Sequence, residues 1–181
     1  NKYLSKFSKL QREILNNSDQ QFISMEKEIE LLELYLQLEQ LRFNGTFHYS
    51  IKIDGDIDAE EIRIPPMLIQ PFVENAIWHG LMPKQGERFV HIAFDISDDD
   101  ILCCSITDNG IGREAAARLK QITTGGNGHK SKGMGLVLER LHILQQQYRQ
   151  PFEVNVSDIT DSEGNITGTL VLLTVYTGSI Y

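Results

Sequence analysis

Three short stretches gather the residue types that bind and move phosphate. The first is Glu74-Asn75-Ala76-Ile77-Trp78-His79-Gly80, which sets a carboxylate, an amide and an imidazole close together. Asn75 and His79 are four apart, so a helix presents them on one face. The second is Asp108-Asn109-Gly110-Ile111-Gly112, directly after a hydrophobic run that reads as a strand. The third is the polar segment 123–132, which ends in Gly133-Met134-Gly135-Leu136 at the expected start of a helix.

Together these residues make a purine-nucleotide site. A carboxylate at a strand end, Asp108, accepts the exocyclic amine of adenine and disfavours guanine, which shows a carbonyl there. Gly110 and Gly112 let the backbone approach a flat base and adopt angles that side chains forbid. Gly133 and Gly135 sit where helix amides lack partners and the dipole favours phosphate. Asn75 offers a neutral oxygen suited to Mg²⁺ bridging phosphates. Segment 123–132 would close over the nucleotide and exclude water. Glu74 adjoins Asn75, yet a helix turns it about 100° away, where it could orient an acceptor imidazole or a water. Each motif alone has a plainer reading: Asp-Asn-Gly is a common turn, and a mid-helix Asn often bonds locally. Their order and spacing carry the argument. No Gly-x-x-x-x-Gly-Lys-Ser/Thr loop is present.

The elements that must hold these residues can be read from periodicity. Leu4, Phe7, Leu10 and Ile14 form a helical stripe over 3–15, interrupted by a turn at 16–19. Ser24 reads as the N-cap of a second helix, with Glu26 and Glu28 favourable in its first turn, and Asn44-Gly45 ends it. Its apolar face is broad enough to pack on two neighbours. Residues 47–53 alternate as a strand, and Pro65-Pro66 opens a helix running to about Leu81. Strands are expected at 88–97, 101–107, 152–158 and 168–176, with helices at 113–122 and 133–148. The expected class is α+β: a two-layer sandwich of a mixed, mostly antiparallel sheet covered on one face by helices, with an N-terminal helical lead-in.

The 181 residues suit one compact domain with a short appendage, 1–22 leading into 23–181. The formal charge of −8 and the lack of a Lys/Arg run disfavour nucleic acid as a partner. Cys103 and Cys104 are neighbours on a strand, one facing each way, and as free thiols fit a reducing compartment. No apolar stretch reaches transmembrane length, so no membrane contact is expected of this segment. The start at Asn1 without a methionine is what a fragment of a longer protein would show.

The three motifs resemble the N box, first glycine box and second glycine box of the gyrase/Hsp90/histidine-kinase/MutL superfamily, the Bergerat fold. Gly168-Thr169 is similar to the Gly-Thr that lines the adenine pocket there. Ile64 to Ala76 and the Tyr-Leu-x-Leu-Glu-x-x-Arg-Phe pattern of Tyr35 to Phe43 resemble LytS/YehU-type sensor histidine kinases. That resemblance implies an ATP-dependent kinase with Mg²⁺, in which Glu74, Asn75 and His79 are catalytic. Asn75, Asp108, Gly110, Gly112, Lys132, Gly133, Gly135, Leu136 and Thr169 would bind the nucleotide, with Asn75 also on the metal. It further implies a membrane sensor with a cytoplasmic catalytic portion, a homodimer, and phosphotransfer to a response regulator receiver domain. Residues 1–22 become a remnant of the dimerisation and phosphoacceptor region, and 23–181 the ATP-binding domain. The acceptor Asn-Pro-His-Phe motif is absent from this sequence, so the segment alone should not autophosphorylate normally. Trp78 stands where relatives often carry a basic residue, whose charge Lys130, Lys132 or Arg113 would then supply. Leu138 stands where they often carry Asn. Two other functions fit the same residues: a non-catalytic, dimerising nucleotide-binding module, and an ATPase or serine kinase on this fold.

Overall fold

The computed structural model describes residues 2–97, 100–124, 135, 138, 139, 141–143, 145, 146 and 152–177. Helix α1 (Lys2–Ser18) leads into a two-residue strand β1 (Ile23–Ser24) and helix α2 (Met25–Arg42). Then come β2 (Phe47–Ile53), β3 (Arg63–Ile64), α3 (Gln70–Asn75) and a π-helical turn (Ala76–Leu81). β4 (Arg88–Ile96), β5 (Ile101–Asp108), α4 (Arg113–Thr124), β6 (Phe152–Thr160) and β7 (Ile166–Tyr176) complete it. Among the described residues no helix is long and apolar enough to cross a membrane.

Five strands form one sheet in the order β2-β4-β5-β7-β6. β2 runs parallel to β4 and the other neighbours are antiparallel, as the expected mixed sheet requires. A parallel pair needs a long crossover. Here the crossover is the stretch from Asp54 to Glu87, and it carries α3 and the π turn across the sheet face. Strand alternation sets what meets that layer. Leu102, Cys104, Ile106 and Asp108 of β5 are buried, and the residues between them are half-buried. The two cysteines therefore do face opposite ways, and burial pushes the Cys104 thiol up.

Three local expectations need correction. The first helix runs through Asn16 and Asn17 to Ser18, without a break at 16–19. Asn17 is buried, and the chain turns only afterwards, where Gln20 N–H donates to the Asn17 carbonyl at 3.1 Å. Of the predicted stripe on this helix, Leu10 is buried and Ile14 packs on the core, whereas Leu4 and Phe7 are exposed.

The helix after Pro65-Pro66 begins later, at Gln70 with Pro71 in its first turn. The reason lies far away in sequence. Ser24 caps α2 as expected, accepting from Lys27 N–H at 3.3 Å, but Glu28 does not act as a first-turn surface charge. Its carboxylate is buried and accepts Met67 N–H at 2.8 Å and Ile69 N–H at 3.0 Å. Met67 adopts φ 57° there, a left-handed conformation that ends any helix begun at Pro66. Glu28 thus caps α3 from another element, in place of the residue before it. The third correction is the segment 123–132: α4 continues to Thr124, and 125–134 lie outside the described residues.

Candidate functional site

Asp108 is the last core-facing residue of β5 and is 4% exposed. Its Oδ1 accepts the Gly110 N–H at 2.7 Å. Burial pushes its carboxyl up to about 6, with the backbone N–H groups of Gly110 and Thr169 pulling back and Asp158 adding to the rise. Next to it the chain is packed backbone on backbone. A Cβ at Gly110 would lie 2.5 Å from the Gly80 carbonyl carbon, and Ile111 N–H donates to the Gly80 carbonyl at 3.1 Å. Gly110 is therefore needed for contact with the end of the π turn, a contact sequence spacing did not show. Gly112 has φ +82°, as expected of a residue at an angle side chains rarely adopt. Asn109 clips the turn to β4: its Oδ1 accepts Phe89 N–H at 2.8 Å and its Nδ2 donates to the Glu87 carbonyl at 3.2 Å.

Beside Asp108 lies a cavity of about 190 Å³. Phe72, Ala76, Ala116, Val156 and Val171 supply apolar walls, and Asn75, His79, Thr169 and Arg113 supply polar ones. Asn75 and His79 meet at this cavity as their spacing requires, the π turn notwithstanding. Thr169, Gly112 and Asp108 join them from three other parts of the chain. Sequence reasoning missed the apolar wall from Phe72, Ala116, Val156 and Val171; only their core-like types hinted at it. Arg113 is fixed to β6, its N–H on Asp158 Oδ1 at 2.9 Å and its Nη1 on the Val156 carbonyl at 3.0 Å. Lys130, Lys132, Gly133 and Leu136 lie outside the described residues. Gly135 is helical and exposed, with no heavy atom within 4 Å of a Cβ built there. Leu138 is exposed.

Glu74 does not line this cavity. It lies near Tyr35 and Glu39 of α2, and Gln70, one turn back on its own helix, donates Nε2–H to its Oε1 at 2.8 Å. Trp78 lies on the α2 side too, 42% exposed, with the Arg42 guanidinium carbon 4.0 Å from its ring centroid. The position lacking a basic side chain is thus met by a basic side chain from α2. A larger groove of about 490 Å³ separates α1 from α2, but charges of both signs line it and Lys27 already pairs with Glu13 at 3.3 Å. His48 and His91 are sheet-surface residues, bonded to Glu87 and Ser50 at 2.7 Å each. Among the described residues no three His, Cys, Asp or Glu side chains gather as a metal cage.

A histidine kinase family model matches residues 1–47. The chain is 37% identical over 111 residues to the sensor protein LytS of Bacillus subtilis, covering 61% of this chain and 18% of that protein. It therefore spans under a fifth of that relative's length. The histidine kinase domain of the Erythrobacter litoralis EL346 blue-light activated kinase superposes with a TM-score of 0.55 at 13% identity, covering 99% of this chain and 81% of that one. The catalytic domain of histidine kinase ThkA gives 0.52 at 12% identity, covering 86% and 95%. The chain is homologous to the LytS sensor kinases and has the fold of histidine kinase catalytic domains.

Proposed function

We propose that this chain is the ATP-binding catalytic part of a two-component sensor histidine kinase. It would pass the γ-phosphoryl of ATP to a histidine upstream of Asn1, and from there the group would move to a response regulator. Residues 1–22 would belong to the dimerisation and phosphoacceptor region of a homodimer, and 23–181 to the ATP-binding domain. We place the chain on the cytoplasmic side of a membrane sensor. The observation that carries the reading is one buried carboxylate, Asp108, at an apolar cavity that Asn75 and His79 also line. That donor set fits adenine: an ionised carboxylate accepts the amine, and apolar walls exclude water from the ring.

Phosphoryl transfer needs position and charge balance more than covalent help. His79, which lines the cavity, would face the phosphates, and Lys132, Gly133, Gly135 and Leu136 would help to bind the nucleotide. Asn75 has a neutral oxygen suited to Mg²⁺ and lines the cavity. Mg²⁺, when bound, would neutralise the β and γ oxygens. Glu74, on the flank away from the cavity, would take the N–H of the acceptor imidazole and leave its other nitrogen's lone pair free to attack.

Calorimetric titration with ATP and Mg²⁺ tests the pocket. Saturable binding of ATP but not GTP, lost in Asp108→Ala, is expected; retained affinity in that variant would refute the assignment.

A further inference from the structure

The Tyr35–Phe43 pattern is left without work by the nucleotide cavity, which none of its residues lines. Tyr35, Glu39 and Arg42 recur at helical spacing, so α2 presents them on one face. Across from them stand Gln70, Glu74 and Trp78, one per turn of α3 and the π turn. The two ladders meet. Arg42 covers Trp78 at 4.0 Å and lies 3.6 Å from Glu39 Oε2, while Gln70 holds Glu74 Oε1 at 2.8 Å. Burial, then the charges of Glu39 and Glu74, push the Tyr35 phenol up, so its hydroxyl faces both carboxylates as a protonated group.

This contact is more polar than helix packing needs. Tyr35, Glu39 and Gln70 are 8%, 7% and 3% exposed. Tyr35 Oη, Glu39 Oε2 and Gln70 Oε1 are buried and make no well-formed hydrogen bond among the described residues; Tyr35 Oη leans on Trp78 and Glu39, and Glu39 Oε2 has the Arg42 ion pair. Each such atom carries a desolvation cost, and apolar side chains of similar volume would hold the helices together at least as well. So polar a contact, with Glu74 close enough to act on the charges of Tyr35 and Glu39, points to a task beyond packing.

We propose that Tyr35, Glu39 and Arg42 are positioning residues for Glu74, locking the outer flank of the Asn75 helix so that the carboxylate meets the acceptor imidazole in one orientation. This rests on the reading of Glu74 given above. Nucleotide binding, on the opposite flank, is not their business.

The test uses the full-length protein and separates ATP affinity from the phosphoryl-transfer rate. Tyr35→Phe removes one oxygen and leaves no large cavity. It should slow transfer about tenfold while the ATP Kd stays within about twofold. Glu39→Ala should do the same or worse, and Glu39→Gln, which keeps the shape, should recover most of the rate. In Glu74→Gln the further effect of Tyr35→Phe should vanish, because the two act as a unit. An unchanged rate in Tyr35→Phe overturns the proposal, as does a parallel loss of ATP affinity and thermal stability. If Glu74→Gln is slow but Tyr35→Phe is normal, only this inference falls. If Glu74→Gln transfers normally, the role of Glu74 falls with it.

Discussion

The two flanks of the helix that bears Asn75 are built on opposite principles. The cavity flank is apolar apart from a few polar groups, and its one buried carboxylate, Asp108, already receives a backbone N–H at 2.7 Å. The α2 flank gathers two carboxylates, a phenol and an amide, and holds three buried polar atoms in no well-formed hydrogen bond. The first arrangement suits recognition of a flat, mostly apolar ring with one polar edge. The second suits holding a charged group in position for chemistry. Substitutions that separate the flanks are the sharpest probes of this contrast.

The largest effect should come from the residue that caps the helix bearing both flanks. Glu28→Ala strips the buried acceptor from Met67 and Ile69 N–H, and should cost roughly 3–5 kcal/mol in a denaturant melt. Both flanks should fail together in that variant. Asp108→Ala should cost less stability but weaken ATP about a hundredfold or more by calorimetry. If it also slowed a transfer reaction run at saturating ATP, the division between flanks would be wrong. Asn75→Asp should retain most ATP binding and lose Mg²⁺-dependent transfer, read with labelled ATP.

The pH dependence gives a gentler test. Asp108 is raised from 3.8 to about 6, so the folded, nucleotide-free chain holds this proton more tightly than the unfolded chain does. Stability from this group is complete below about pH 4 and is lost as pH rises through about 6. Adenine needs the ionised form, so ATP affinity should run the other way. It should be flat above about pH 6 and fall toward tenfold per unit below it. Asp108→Asn should abolish the slope. The smallest effect is Trp78→Leu, which removes the ring under Arg42 and should lower stability by about 0.5–1 kcal/mol without changing ATP affinity.

Local pattern was enough for much of this architecture. Alternation along residues 101–108 already puts Asp108 on the same face as Leu102, Cys104 and Ile106. The four-residue spacing already pairs Asn75 with His79. What could not be read were contacts between distant residues. Nothing in Pro65-Pro66-Met67 announces a carboxylate 39 positions upstream that delays the helix to Gln70. Nothing in Gly110 names Gly80 as the backbone it must touch. The π turn leaves no periodic mark, and the pairing of Tyr35, Glu39 and Arg42 with Gln70, Glu74 and Trp78 exists only once two helices are set side by side.

The Glu28 cap makes α2 and α3 a mechanical couple. A helix advances about 1.5 Å per residue, so sliding α2 by one residue along its axis would stretch or break the bonds of the carboxylate to Met67 and Ile69 N–H. The backbone there is bent to a positive φ at Met67, and the residue before the helix, Ile69, makes no side-chain cap of its own. Travel of α2 therefore either strains this cap or is passed on to the segment holding Asn75. A push along α2 would bear on the backbone that leads directly into the Asn75 helix.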